Sequence, residues 1–309
     1  MKMKKQFGIA SARRLLISIF GAVALASAAY ADDSTSGHSG LEDLDRTGVE
    51  QVLQVSPGFI YIPEADFDND NLGHLSVWRF NVPVSYTIKT EPGDIRIGGF
   101  YEYSEYDTDN LDGTQDFNTV AANLLWKGHL NEEWGYFLLG GINVSASTHA
   151  AFSDGLTGMG GGGVHYTWNT NLSLGVGLAA STRLENDPTV LPIIALNWQI
   201  NDRWNLRTLN GATITYDVTG DKKFLADFGI NFQRREYRLR FNNDNSALID
   251  RAVLIELGAT YRFTPQFALR GFTGVAVARN IGLRNHGDKV TDQDVDSAPI
   301  IGVRALLTF

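Results

Sequence analysis

Beyond about residue 48 the chain alternates apolar and polar side chains with a period of two. The clearest run spans residues 78–88: Trp78, Phe80, Val82, Val84, Tyr86 and Ile88 share one parity, and Arg79, Asn81, Pro83, Ser85 and Thr87 the other. That period belongs to a strand with two different faces. Similar runs fall at 94–106, 117–127, 134–146, 160–168, 172–183 and 190–200. Others follow at 204–209, 212–216, 224–233, 252–263, 267–279 and 298–309, and 49–62 reads as a first strand. Segments of about ten residues separated by turn signals predict a barrel or a sandwich. The count is about 14 strands. Asn210-Gly211 leaves it at 12 or 14, as a tight hairpin turn or a kink within one strand.

The connections favour the barrel. Short ones (90–93, 169–171, 201–203 and 264–266) alternate with longer polar ones (63–75, 108–116, 147–157 and 280–297). Outer-membrane barrels have short periplasmic turns and long external loops, with an even strand number returning both ends to the periplasm. Trp126, Trp134, Trp168, Trp198 and Trp204 lie beside the short turns, as do Phe263 and Phe267. Amphipathic rings collect at the bilayer interface, so these predict an aromatic girdle at the periplasmic end. A sandwich gives tryptophans no reason to gather at one end. The expected fold is all-β, a transmembrane antiparallel up-and-down β-barrel.

Both ends of the sequence agree. Lys2, Lys4, Lys5, Arg13 and Arg14 precede an apolar stretch, and Ala29-Tyr30-Ala31 offers a small-x-small cleavage site before Asp32-Asp33. That is the layout of a secretory leader over 1–31, too short in its apolar part to span a membrane. The Arg13-Arg14 pair could mark twin-arginine export, but a barrel must cross unfolded, and Sec-type export is the expectation. Residues 32–48 read as a polar periplasmic segment, and 49–309 as the barrel. In the last nine residues Ile301, Val303, Ala305, Leu307 and Phe309 share a face against Gly302, Arg304 and Thr308, with Leu306 the exception. A final strand of this kind must pair with the first. It resembles the C-terminal signature by which bacterial outer-membrane barrels are read by their assembly machinery, with Phe309 as that signal.

Charge narrows the partners. The chain carries 26 Lys and Arg against 35 Asp and Glu; removing the leader, with 5 of the bases and none of the acids, leaves 21 − 35 = −14. A nucleic-acid partner would demand a basic surface. The chain has no cysteine, hence no disulfide framework and no thiolate metal site. Polar parity places Arg79, Arg96, Arg207, Arg262, Arg270 and Arg304 inward, with Lys89, Lys127 and Arg183 near strand ends; inward acids are Glu102, Asp227 and Glu256. Charges cannot face lipid cheaply, so they line water or pair with one another. Either the interior is hydrated and modestly cationic, favouring anionic solutes, or the arginines form a network that plugs it. An interior of about 14 strands is too wide to fill with side chains alone, which favours a passive channel. A structural or surface-interaction barrel is the alternative.

Candidate chemistry is thin. The glycine run 158–163 matches a dinucleotide pattern, but it leads into the alternating Val164-His165-Tyr166-Thr167-Trp168 rather than a helix, so the phosphate reading fails. Such glycines make room for a large side chain or relieve curvature. The segment 64–70 spaces carboxylates like a calcium loop, yet Asn71 and Val77 stand where glycine and glutamate are needed. Further acids at Asp107, Asp109, Asp112, Asp116, Asp288, Asp292, Asp294 and Asp296 read as solvated loops, or as sites bridging divalent cations to lipopolysaccharide. His74-Leu75-Ser76 is the arrangement to weigh for catalysis, since some outer-membrane acyl hydrolases use a His-x-Ser pair, but no third group is identifiable. His165 is expected on the lumen face without a second histidine nearby. No cofactor, catalytic residue or metal is expected; the partners are outer-membrane lipids and lipopolysaccharide and the assembly machinery, with the oligomeric state open.

The leader, the stretch Asn210-Gly211-Ala212-Thr213-Ile214-Thr215-Tyr216, the stretch Arg234-Arg235-Glu236-Tyr237-Arg238-Leu239 and the Phe-terminated last strand together resemble a family of bacterial outer-membrane β-barrels of unassigned function. The resemblance covers most of the chain after the leader. It implies the architecture and supplies no substrate.

Overall fold

In the computed structural model, residues 51–91, 93–109, 115–209, 211–241 and 244–309 are described. The expected leader, the 32–48 segment, Asp112 and Asn210 lie outside them. Among the described residues, sixteen hydrogen-bonded segments close a single sheet. They make fourteen staves, because the first two segments and the last two each run end to end along the same neighbours. The staves are β1 (Gln51–Val55 and Gly58–Asp66), β2 (His74–Thr90), β3 (Gly93–Thr108), β4 (Gln115–His129) and β5 (Trp134–Ser147). Then follow β6 (Leu156–Asn169), β7 (Leu172–Ser181), β8 (Thr189–Gln199), β9 (Trp204–Thr208) and β10 (Gly211–Asp217). The last are β11 (Phe224–Phe241), β12 (Asp244–Thr264), β13 (Phe267–Asn285) and β14 (Asp288–Val295 and Ala298–Thr308). Every stave pairs antiparallel with its sequence neighbour, and β14 pairs with β1, with Ile301 opposite Tyr61 and Arg304 opposite Gly58. The barrel closes as the terminal strand pattern requires.

The pleat sorts the side chains. Leu138, Ile142, Leu178, Leu257 and Ile301 point outward and are 49–59% exposed, forming an apolar wall that only hydrocarbon would cover. Full closure leaves no open sheet edge around most of that wall, which is the condition for a strand protein to cross a membrane. The transmembrane barrel is the fold. No helix among the described residues is long and apolar enough to span.

The stretch 204–217 holds two paired strands rather than one kinked strand. β9 and β10 pair antiparallel, Trp204 opposite Tyr216 and Thr208 opposite Ala212. Gly211 has φ +153°, and a Cβ there would sit 1.8 Å from the Ile230 carbonyl oxygen, so only glycine fits beside β11.

Two expectations about connections need correcting. The segment 280–297, read as an external loop, is mostly a hairpin: β13 runs to Asn285, His286 and Gly287 turn with φ of 50° and 85°, and β14 returns from Asp288. Strands expected to end near 233 and begin near 252 continue as one ladder from Phe224–Tyr261 to Phe241–Asp244. Their charged side chains hide the strand pattern because both faces are covered by protein, so no apolar face is demanded.

That long β11–β12 hairpin leaves the wall. β10 accompanies β11 only as far as Gly211 opposite Asn231. Beyond it, β11 crosses the interior and Arg238 forms a parallel bridge with Ala146 of β5. Tyr237 stacks on Phe117 of β4 at 4.3 Å and meets Tyr106 of β3 edge-on at 5.8 Å. Around these rings Ile60, Ile62, Leu75, Val77, Leu254 and Ile300 form one buried core. Side chains alone do not fill so wide a barrel; here a strand pair is inserted as well.

Candidate functional site: the lumen and its inserted hairpin

Three ionic groups hold the interior. Near the short-turn end, Arg270 Nη2 and Nε donate to the two oxygens of Asp227 at 2.6 and 3.2 Å, and Glu256 lies 3.4 Å from Nη2. The guanidinium also rests 4.6 Å from the Phe272 ring centroid. At mid-height Arg79 Nη2 donates to Asp250 Oδ2 at 2.6 Å and to Tyr106 Oη at 2.8 Å, while Tyr106 donates to the same Asp250 oxygen at 2.7 Å. Beside them Arg235 grips Glu102 with Nε and Nη2 at 2.9 and 3.1 Å. Bidentate pairing and added donors are what make buried charges tolerable. The third group lies between β11 and the β7–β8 connection: Glu236 accepts from Arg234 Nε at 2.7 Å, Arg183 Nη1 at 3.4 Å and the Leu184 amide at 3.1 Å. Next to it Arg238 pairs with Glu185 and donates to the Leu184 and Asp154 carbonyls.

Beside the hairpin a cleft of about 100 Å³ remains between β11 and the inner face of β3–β7. Its lining includes Thr119, Asn123, Asn143, Met159, Arg183, Arg234, Arg235 and Glu236. Below it, Phe137, Leu139, Ala179 and Ile193 cluster with Met159 and Leu209. The glycine run of β6 belongs to this patch: a Cβ on Gly163 would lie 2.6 Å from the Phe137 ring, and one on Gly177 2.9 Å. The glycines make room for a large side chain, from the adjacent strand.

Of the inward charges expected from parity, Arg79, Glu102, Asp227, Glu256, Arg270 and Arg304 are buried, while Arg96, Arg207 and Arg262 are half-buried. Arg96 donates to Ser85 Oγ at 3.3 Å and Arg207 to Asn197 Oδ1 at 3.4 Å. Arg183 sits just past the end of β7 rather than in a strand. The partners that sequence reading missed are Asp250, Arg235, Glu236, Arg238 and Glu185. Arg235 shares the parity of Asp227 and could have been found by extending that strand; the others required knowing that the hairpin turns inward.

The aromatic residues cluster at the short-turn end. Trp134 and Trp168 both flank Tyr166, at 4.8 and 4.7 Å; Trp204 meets Tyr216 at 4.6 Å; Phe263 stacks on Phe267 at 5.4 Å. Trp126 packs on Tyr136 at 5.3 Å, and Trp198 is exposed opposite Leu206. Phe309 is exposed at the closing seam. His165 differs from expectation: a second histidine, His129, lies 6.3 Å away between ring centroids. Neighbouring strands β4 and β6 flank β5, where Gly135 leaves the space. His74 engages Asp66, and its amide donates to Asp109 at 3.2 Å, while Ser76 stands opposite Asp107 in the β2–β3 register. Among the described residues no group of three or more His, Cys, Asp or Glu is arranged to hold a metal ion.

The toluene transporter TodX of Pseudomonas putida shares 10% identity, over 87% of this chain and 92% of its own, with a TM-score of 0.45. A FadL homologue of Pseudomonas aeruginosa shares 9% over 84% and 90%, with a TM-score of 0.46. The KdgM porin shares 6% over 81% and 97%, with a TM-score of 0.33. No curated protein matches the chain. The family model described as "Domain of unknown function (DUF6268)" matches residues 70–291, well over half of the chain and all of the barrel from β2 through β13, so this outer-membrane β-barrel protein belongs to that family.

Proposed function

We propose that the barrel is a passive channel for small anionic solutes, with a route along the β3–β7 side, past the inserted hairpin. The observation that carries this reading is the cleft: the hairpin packs against β1, β2, β13, β14 and the Tyr106 and Phe117 ends of β3 and β4, but leaves space beside the rest of β3–β7. Arg183, Arg234 and Arg235 face Glu102 and Glu236 around that space, an excess of cationic over anionic groups. Below it, the half-buried Arg96 and Arg207 and the exposed Lys127 add positive charge where water enters. Low-dielectric walls strengthen such a field. Single-channel recording in planar bilayers, with reversal potential under a salt gradient, is the test. Discrete conductance with anion preference is expected.

A second reading, a structural or surface-interaction barrel without transport, draws on the solid packing around Tyr106, Phe117 and Tyr237. A folded preparation that gives no conductance would favour it.

A further inference from the structure

Among the described residues, the hydrogen-bonded wall is incomplete between β8 and β11. β9 meets β8 only from Asn205–Gln199 to Thr208–Leu196, and β10 leaves β11 at Asn231. Residues 189–195 of β8 and those of β11 after Asn231 therefore extend past the β9–β10 tip with no strand between them. At about 3.3 Å per residue, the unpaired stretch of β8 is on the order of 20 Å long.

This gap lies at membrane depth. Val190 and Ile194 on its β8 edge point outward and are 64% and 56% exposed. Unpaired backbone at that depth is costly unless protein covers it. The edge is built accordingly. The Leu196 amide donates to Thr208 Oγ1 at 3.1 Å, toward β9; direction alternates along a strand, so Val190, Pro192 and Ile194 turn their backbone to the gap. Pro192 has no N–H to leave unpaired and cannot recruit another strand. Leu191, Ile193 and Phe232 at its edges are all buried, so protein covers the inner side of both edges.

The cleft opens behind it. Met159 lines the cleft and packs against the buried cluster of Phe137, Leu139, Ala179 and Ile193, whose last member is on the gap edge. A contiguous run of packed apolar side chains thus joins the cleft wall to the gap edge. At the cleft end Arg183 and Arg234 share the single carboxylate of Glu236. The Arg183 side chain is 3% exposed, and its Nη2 has no hydrogen-bond partner among the described residues. Two guanidiniums on one carboxylate leave one positive charge and an unpartnered buried donor in the cleft wall.

We infer that the gap between β8 and β11 is a lateral exit into the bilayer, and that the cleft takes a single-chain amphiphile with a monoanionic head. The head binds Arg183 and Arg234, and the tail lies along Met159, Phe137 and Ile193 toward the gap. The inference deepens the channel reading and rests on it for how a solute reaches the cleft.

The test uses the full barrel in phosphatidylcholine vesicles with a twelve-carbon carboxylate bearing a terminal diazirine. Irradiation should place adducts on peptides containing Ile193, Leu209 and Phe232. Excess dodecanoate should suppress them at least tenfold, and the corresponding diazirine alcohol should give at most a tenth of the yield. Arg183→Gln should lower labelling by a similar factor. Ile193→Trp, which leaves the charges intact, should shift adducts back toward Met159. Labelling confined to outward residues such as Val190 and indifferent to dodecanoate overturns the proposal, as does equal labelling by the alcohol. Ion conductance of the same preparation separates the two readings. Conductance without competed labelling rejects the amphiphile site and leaves the channel; competed labelling without conductance keeps the site and rejects the ion channel.

Discussion

Arg79 and Asp250 meet at 2.6 Å across 171 residues of chain, both buried, and tie the wall strand β2 to the strand pair inserted into the lumen. Tyr106 bonds to both partners, so the pair is the centre of a small closed network. It fixes the hairpin against one side of the barrel and thereby sets which side stays open.

Removing one partner leaves a charge buried and uncompensated, at a cost of about 3–5 kcal/mol. Asp250→Asn is therefore expected to lower the temperature at which the folded gel band is lost. It should also raise conductance by loosening the hairpin. Arg79→Met combined with Asp250→Leu should recover part of the thermal loss, because the guanidinium bonded to Asp250 goes with it while Arg279, buried near the same carboxylate, stays. If the double variant melts as low as the single one, the pair does not anchor the hairpin through charge.

Much of this architecture is legible in the sequence because lipid imposes a strict rule on one face. From 78 to 88 every even position is apolar, and strand, parity and closure follow. The network is less legible. Arg235 and Asp250 lie in stretches with covered faces on both sides, where no solvent boundary enforces alternation. Glu236 and Arg238 have outward parity, which in a regular stave means lipid; the inward swing of β11 gives them protein neighbours instead. The swing depends on the shortness of β9 and β10, at 5 and 7 residues against 18 and 21 for β11 and β12. Local pattern reports those lengths only once 204–217 is read as two strands.

The pairing of Gly302 with Phe272 makes a second prediction. The two are opposite each other in the β13–β14 register, and a Cβ on Gly302 would lie 2.1 Å from the ring. Phe272 is buried in the core and carries Arg270 on its face. Gly302→Val should overpack the site by about 1–3 kcal/mol and reduce the yield of folded barrel. Phe272→Ala in the same chain should relieve the overlap. The combined loss should be smaller than the sum of the two single losses, measured by urea titration of the heat-modifiable band.

Ion selectivity should follow the arginines that water reaches. Arg79 is offset by the Asp250 carboxylate at 2.6 Å, and Arg304 lies near the buried Glu256, so neither is the first charge a solute meets at the entrance. Arg96, Arg207 and Arg262 are half-buried near the short turns. Replacing these three together by Gln should shift the reversal potential toward cations, with the barrel fold preserved. The shift should shrink at high salt, since screening acts within about 8 Å at physiological ionic strength. A selectivity unchanged by the triple variant would place the controlling charge in the cleft.

Sidedness can be read from tags. An epitope between His286 and Gly287, at the tip of the β13–β14 hairpin, should be bound by antibody on intact cells. One in the tight turn between Asn169 and Leu172, where the Asn171 amide bonds to Asn169 Oδ1 at 2.8 Å, should be bound only after permeabilisation. The opposite pattern would invert the barrel.

Phe309 makes the final prediction. Its amide donates to the Leu53 carbonyl at 2.8 Å, and its carbonyl accepts from the Leu53 amide at 3.1 Å, so the last residue forms a reciprocal pair with the first stave. The ring itself projects outward and is exposed, adding nothing to the internal core. Deleting Phe309 removes both closing bonds and the outward ring; Phe309→Ala removes the ring alone. Two net hydrogen bonds contribute about 1–3 kcal/mol, a small part of a ladder this long. The finished barrel should therefore tolerate either change once folded. If assembly depends on recognition of the terminal ring, both variants should reach the periplasm but insert poorly, and both should refold nearly as well as wild type from urea into detergent. A deletion that fails to refold while Phe309→Ala refolds would assign the role to the closing hydrogen bonds instead.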